Sequence, residues 1–165
     1  MSGRSPVLHL FCGMMASGKS TLAASLARAD GTVLIAEDQW LSTLFGPEMS
    51  TAQDYLRFAS RLRTRMAPHV VSLLDAGVSV VLDFPANTAE TRAWMRGILD
   101  QTGAAHQLHV LAVPDDLCLA RLRQRNADGS HPFAPTEAQF RRFSAHYSEP
   151  TAEEGFDILR HVPEG

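Results

Sequence analysis

Apolar and polar positions along this chain alternate between two rhythms, and each change of rhythm marks a new element. Short apolar runs at Val7–Cys12, Thr32–Ala36, Val78–Asp83 and His106–Val113, and within "FDILRHV", predict five strands. Between them the apolar spacing becomes helical. Leu22, Ala23, Leu26 and Ala27 line one face of a helix over Lys19–Ala29, which stops at Asp30-Gly31. A short helix follows over Gln39–Phe45. Ser50–Ala76 predicts a long one that turns Tyr55, Leu62, Met66, Val70 and Leu73 inward and kinks or splits at Pro68. Asn87 with Glu90 makes a capping-box-like start to a helix reaching about Thr102, closed by Gly103. Asp115–Asn126 is the next helix, "ADGSHPFAP" is a loop, and Thr136 with Gln139 caps a last helix through Tyr147.

This strand–helix alternation predicts an α/β domain, a parallel sheet with helices on both faces. Ligands of such sheets lie at the carboxyl ends of the strands. Those ends carry Gly13, Glu37-Asp38, Asp83 and Pro114-Asp115. A chain of 165 residues is then one domain, residues 1–165, with a single sizeable core.

Composition narrows the class a little further. A net charge of −3 argues against a general nucleic-acid-binding surface, though not against a local anion site. Two cysteines, Cys12 in the first strand and Cys118 in a later helix, predict buried thiols rather than a disulfide framework. "MSGRSP" is too short and polar for a signal peptide, and no apolar run approaches membrane-spanning length; the expectation is a cytoplasmic enzyme without membrane contact.

The candidate chemistry begins between the first strand and the first helix. Gly13, Met14, Met15, Ala16, Ser17, Gly18, Lys19 and Ser20, followed by Thr21, fit G-x-x-x-x-G-K-[ST] without a mismatch. Glycines let the backbone turn tightly, so that several N–H groups converge on phosphate oxygens, and the helix N-terminus adds positive charge. In that setting Lys19 reaches the terminal phosphates of ATP and the Ser20 hydroxyl ligates Mg2+. Lys19 is also the only lysine among 15 basic residues. Coding bias toward arginine accounts for the others. A compact ammonium fits a phosphate loop where a guanidinium fork does not.

Three further groups sit where such a loop needs them. Asp38 follows the second strand and is a candidate general base for an acceptor hydroxyl, or else the cap of the short helix; Glu37 competes for the first role. Asp83 ends "VSVVLD" and is the candidate for positioning Mg2+, or a strand-end cap. Phe84 stands next, where motor-type ATPases place a water-activating glutamate, which favours transfer to an acceptor over hydrolysis. Arg121 and Arg125 share one helical face and are candidate lid arginines, with the lid spanning about residues 121–135; Arg123 points elsewhere. His131-Pro132-Phe133 either shapes that lid or is an ordinary exposed loop. The stripe Arg57, Arg61 and Arg65 reads first as a solvated face, and Trp40, Phe45, Tyr55 and Phe58 divide between core and acceptor pocket.

On "GMMASGKST", "AEDQW", "VVLDFPANT" and "RLRQRNADGSHPF" the chain resembles the P-loop kinases. More specifically, it is similar to the short bacterial ATP-binding proteins with AAA-like domains that group with polynucleotide kinase, zeta toxins and chloramphenicol phosphotransferase. The resemblance implies a three-layer α/β/α P-loop fold, with a mainly parallel five-stranded sheet and a lid. It also implies a phosphotransferase that moves the γ-phosphate of ATP to a hydroxyl of a small-molecule or nucleotide-type acceptor. In those relatives an aspartate after the second strand activates the acceptor and lid arginines contact ATP, positions matched by Asp38, Arg121 and Arg125. A slow ATPase switch module and a sugar-acid kinase similar to gluconate kinase remain as alternatives. A GTPase does not fit, because its N-K-x-D needs a second lysine.

Overall fold

In a computed structural model, which describes residues 5–129 and 135–162, five strands form one sheet in the order β2-β3-β1-β4-β5, with every neighbouring pair parallel. The strands are β1 (Val7–Cys12), β2 (Thr32–Ala36), β3 (Ser79–Pro85), β4 (Ala105–Leu111) and β5 (Ile158–His161). The helices are α1 (Lys19–Leu26), α2 (Glu37–Phe45), α3 (Ala52–Asp75), α4 (Ala89–Thr102), α5 (Asp115–Asp128) and α6 (Glu137–His146). The mainly parallel sheet expected from the sequence is thus parallel throughout.

Alternation within the strands divides the core between the two faces of the sheet. Leu8, Leu10, Val80, Leu82, Leu108 and Val110 pack against the buried face of α3 and α4. Phe11 and Val81 pack on the other side against Ala23, Leu22 and Leu26 of α1. A third cluster joins Cys118 and Leu122 of α5 to Phe140 of α6, and rests on Met14, Met15 and Ala16. The two cysteines are buried free thiols, as expected.

Several boundaries differ from the sequence-based expectation. Helix α1 ends at Leu26, where Arg28 and Ala29 bond back three residues instead of four and tighten the last turn. Helix α3 is not split at Pro68. Its buried row Phe58, Leu62, Met66, Val70 and Leu74 runs past the proline on one side, while Pro68 itself is exposed. A single lost backbone bond on the solvent face is outweighed by that continuous row. Leu74, not Leu73, completes the row, and Tyr55 lies at its margin. The cap of α4 is Thr88, whose hydroxyl accepts from the Thr91 N–H. Asn87, expected in that role, is used elsewhere.

Two polar features cross the sheet. His9, His109 and His161, on β1, β4 and β5, form a chain in which His9 Nδ1 meets His109 Nε2 at 3.0 Å and His109 Nδ1 meets His161 Nε2 at 2.9 Å. Arg92 of α4 is buried and satisfied by Glu154, the Ala86 and Ser148 carbonyls and the Ser148 hydroxyl. It ties the segment after α6 to the end of β3. Among the described residues, no helix is long and apolar enough to cross a membrane.

Candidate functional site

The carboxyl ends of β1, β2 and β3 open into a cleft of about 1010 Å³. Its floor is the loop between β1 and α1. Gly18 adopts φ 102° and Ala16 φ 61°, the left-handed conformations that curl this loop and aim its N–H groups to one side. Gly13 is needed for a different reason. A side chain there would meet Ser17 Oγ at 2.7 Å and the Leu111 carbonyl at 3.3 Å. Met14 through Thr21 all line the cleft; Gly13 lies buried beneath them.

The loop's own bonds fix its shape. Lys19 Nζ donates to the carbonyls of Gly13 (2.6 Å) and Met14 (2.8 Å). The Asn87 side chain accepts from the Gly13 N–H at 2.9 Å and donates to the Gly13 carbonyl at 2.8 Å. Burial lowers the pKa of the Lys19 ammonium, and the nearby Asp83 charge opposes that shift most. Asp83 also accepts from the Ser20 hydroxyl at 3.0 Å. It sits in an irregular stretch of β3, where pairing advances two residues on β1 (His9 to Phe11) but four on β3 (Val81 to Pro85).

The two acids after β2 part company. Both lie in the first turn of α2, which begins at Glu37 rather than at Gln39, so Asp38 is inside the helix and not its cap. Glu37 faces the core, is fully buried, and accepts from the Tyr55 hydroxyl and from Arg63 Nε at 3.0 Å. Burial raises its pKa, with Arg63 and Tyr55 opposing. Asp38 lines the cleft; Glu37 does not. Of the two acids after β2, then, Asp38 is the one that reaches the cleft.

Across the cleft, α5 presents Arg121 and Arg125 to the cavity. Arg125 is partly buried, which lowers its pKa, and the Asp38 charge counters this. Arg123 faces away and pairs with Glu137 of α6. The lid expected over 121–135 therefore begins as ordinary helix, and His131, Pro132 and Phe133 lie outside the described residues. Arg57, Arg61 and Arg65 are exposed and do not line the cleft; Arg57 pairs with Asp54 at 3.7 Å and lies over the Phe58 ring. Of the aromatic candidates, Tyr55 reaches the cleft, Phe45 and Phe58 stack on each other, and Trp40 is exposed.

Sequence reasoning missed Asn87 as the partner of Gly13, and it missed the far wall built by Phe140, Phe143 and Ser144 of α6. The N-cap preference of asparagine masked the first. The only signal for the second was the apolar pair Phe140 and Phe143 at helical spacing, which reads equally as core.

A sequence model described as an AAA domain matches residues 8–150. The adenylyl-sulfate kinase of Shewanella pealeana is 33% identical over 161 residues, covering 92% of this chain and 73% of that one. Among solved structures, a candidate kinase of Chloroflexus aurantiacus superposes with a TM-score of 0.77 at 17% identity, covering 98% of this chain and 87% of that one. The Mycobacterium tuberculosis APS kinase CysC, in complex with AMPPNP and APS, gives 0.66 at 21% identity, covering 98% and 90%.

Proposed function

The chain belongs to the AAA domain family, as a P-loop kinase-like ATP-binding protein, and from that premise we propose that it transfers the γ-phosphate of ATP to a hydroxyl. One observation carries this reading. The phosphate loop, Ser20 with Asp83, Asp38, and the pair Arg121 and Arg125 all line a single cleft.

The parts fit the chemistry. Loop N–H groups and Lys19 hold the β- and γ-phosphates, for which Lys19 leaves the Gly13 and Met14 carbonyls. Ser20 Oγ and the Asp83 carboxylate, already in contact, are a hard-oxygen pair suited to Mg2+, which takes few protein ligands and keeps water and phosphate oxygens. Bound there, the ion would neutralise charge on the phosphates. Asp38 orients the acceptor hydroxyl and takes its proton as the oxygen attacks phosphorus. The bond from phosphorus to the β-phosphate oxygen breaks, and ADP leaves with the electron pair. Arg121 and Arg125 stabilise the charge spread over the transferring group.

Phe84 supports transfer over hydrolysis. It is fully buried against Trp94, so the position after Asp83 offers no carboxylate to activate water. Calorimetry with Mg-ATP tests the nucleotide half, comparing the native chain with Lys19→Ala. Loss of an ammonium whose bonds contribute ~1.5–3 kcal/mol each should abolish or severely weaken binding. Unchanged affinity and turnover would refute the reading.

A further inference from the structure

Charge on the cleft wall narrows the acceptor. We infer, resting on the kinase reading above, that it is an uncharged hydroxyl compound with a planar, largely apolar body.

The described residues lining the cleft include three cations, Lys19, Arg121 and Arg125, and two carboxylates, Asp38 and Asp83. All three cations belong to the phosphate loop or to α5. The triphosphate of ATP requires those charges together with the Mg2+ of the reading above, and Asp38 and Asp83 offset part of them. Among the described residues lining the cleft, no surplus positive charge is left for an anionic acceptor. The arginines of α3 and α6 do not supply it: Arg63 is committed to Glu37, Arg57 and Arg61 lie over Phe58 on the outer surface, and Arg65, Arg141 and Arg142 are exposed and do not line the cleft. A phosphate, sulfate or carboxylate placed beside Asp38 would have to shed water without gaining a partner cation.

The wall between the start of α3 and α6 has a different character. Met49, Tyr55, Phe140 and Phe143 supply apolar surface, and Ser50, Thr51, Gln139 and Ser144 supply neutral hydrogen-bonding groups. Tyr55 and Phe143 stand edge to face, with centroids 6.4 Å apart and planes at 85°. The Tyr55 ring is held from behind, because its hydroxyl donates to the buried Glu37 that Arg63 fixes. Phe143 is 39% exposed. One fixed ring and one partly exposed ring suit a flat, uncharged ligand, whose hydroxyl then points toward Asp38.

The test is calorimetric titration of acceptors into the protein saturated with AMPPNP and Mg2+, so that the ATP half is filled. Adenosine, thymidine and 4-nitrophenyl glucoside represent uncharged planar alcohols. Adenosine 5′-monophosphate, adenylyl sulfate and gluconate represent anions. At least one uncharged compound should bind ten-fold or more tightly than every anion, and Phe143→Ala should weaken it at least five-fold. An anion that binds as well as the best uncharged compound overturns the inference. So does an absence of binding by all three uncharged compounds at millimolar concentration, or indifference to Phe143→Ala. Failure of AMPPNP itself to bind would instead remove the kinase reading on which this rests.

Discussion

The side chain of Asn87 pairs with both backbone groups of Gly13, at 2.9 Å from the N–H and 2.8 Å from the carbonyl, 74 residues away in sequence. The Asn87 carbonyl in turn accepts from the Ser148 N–H at 2.8 Å. One residue therefore holds the entry of the phosphate loop against both the end of β3 and the segment after α6. Asn87→Ala removes two part-buried bonds, each contributing about 0.5–1.5 kcal/mol. Mg-ATP affinity should fall roughly ten-fold while the far-UV spectrum stays unchanged. Asn87→Asp should do no better, since a carboxylate cannot donate to the Gly13 carbonyl. Calorimetry on the two variants checks both expectations, and native affinity in either would reduce Asn87 to packing.

Asp38→Asn keeps the shape of the cleft and removes the proton acceptor. Phosphoryl transfer should fall about 10²–10⁴-fold, the range of a general base, with ATP affinity retained. Background hydrolysis should fall far less, because water does not need the oriented acceptor contact. ADP release measured with and without acceptor separates the two rates. Full retention of transfer would leave the carboxylate with no part in the reaction.

Arg121→Ala and Arg125→Ala should lower turnover more than ATP affinity, because a charge that matters most in the transition state affects rate before binding. Arg123→Ala breaks only its exposed pair with Glu137 and should leave turnover within two-fold, about the scale expected of a surface pair. Comparable losses at all three positions would contradict the separation of faces on α5.

Stability should decline as pH falls through the range set by the histidine chain. Burial, and then the neighbouring His9 and His161, lower the His109 pKa from 6.5 to about 4. The unfolded chain thus takes up a proton between those values that the folded protein refuses. The stabilisation is complete above pH 6.5 and is lost as pH drops toward 4, by as much as ~3 kcal/mol. Urea unfolding at pH 7, 5.5 and 4.5 measures the slope, and His109→Phe should flatten it. A native slope in that variant would assign the pH dependence to other groups.

How legible was this in the sequence? The strand order of chemistry was, because a phosphate loop needs glycines, a lysine and a hydroxyl at fixed spacing, and few other structures do. The apolar runs placed β1 and β2 to the residue. What stayed hidden depends on contacts between distant residues. Two adjacent acids at a strand end did not show that a helix already begins at Glu37, nor which of them faces Tyr55 and Arg63. Pro68 looked like a break because local propensity sees the missing N–H and not the row of side chains packed behind it. Arg92 gave no sign that it was buried, since an arginine between Thr91 and Ala93 is ordinary helical surface until Glu154 and Ser148 come to meet it.

The histidine chain has a consequence beyond its charge. A neutral imidazole has one nitrogen that gives a hydrogen and one that receives, and both nitrogens of His109 are engaged. If His9 gives to His109, His109 must give to His161; if His161 gives, His109 must give to His9. The three tautomers are therefore one variable with two settings, shared by strands whose residues lie up to 152 positions apart (from 9 to 161). β5 is an edge of the sheet, and β1 runs straight into Gly13. The tautomer of His161 on the edge strand is thereby tied to that of His9 on the strand that leads to Gly13, with no change in net charge.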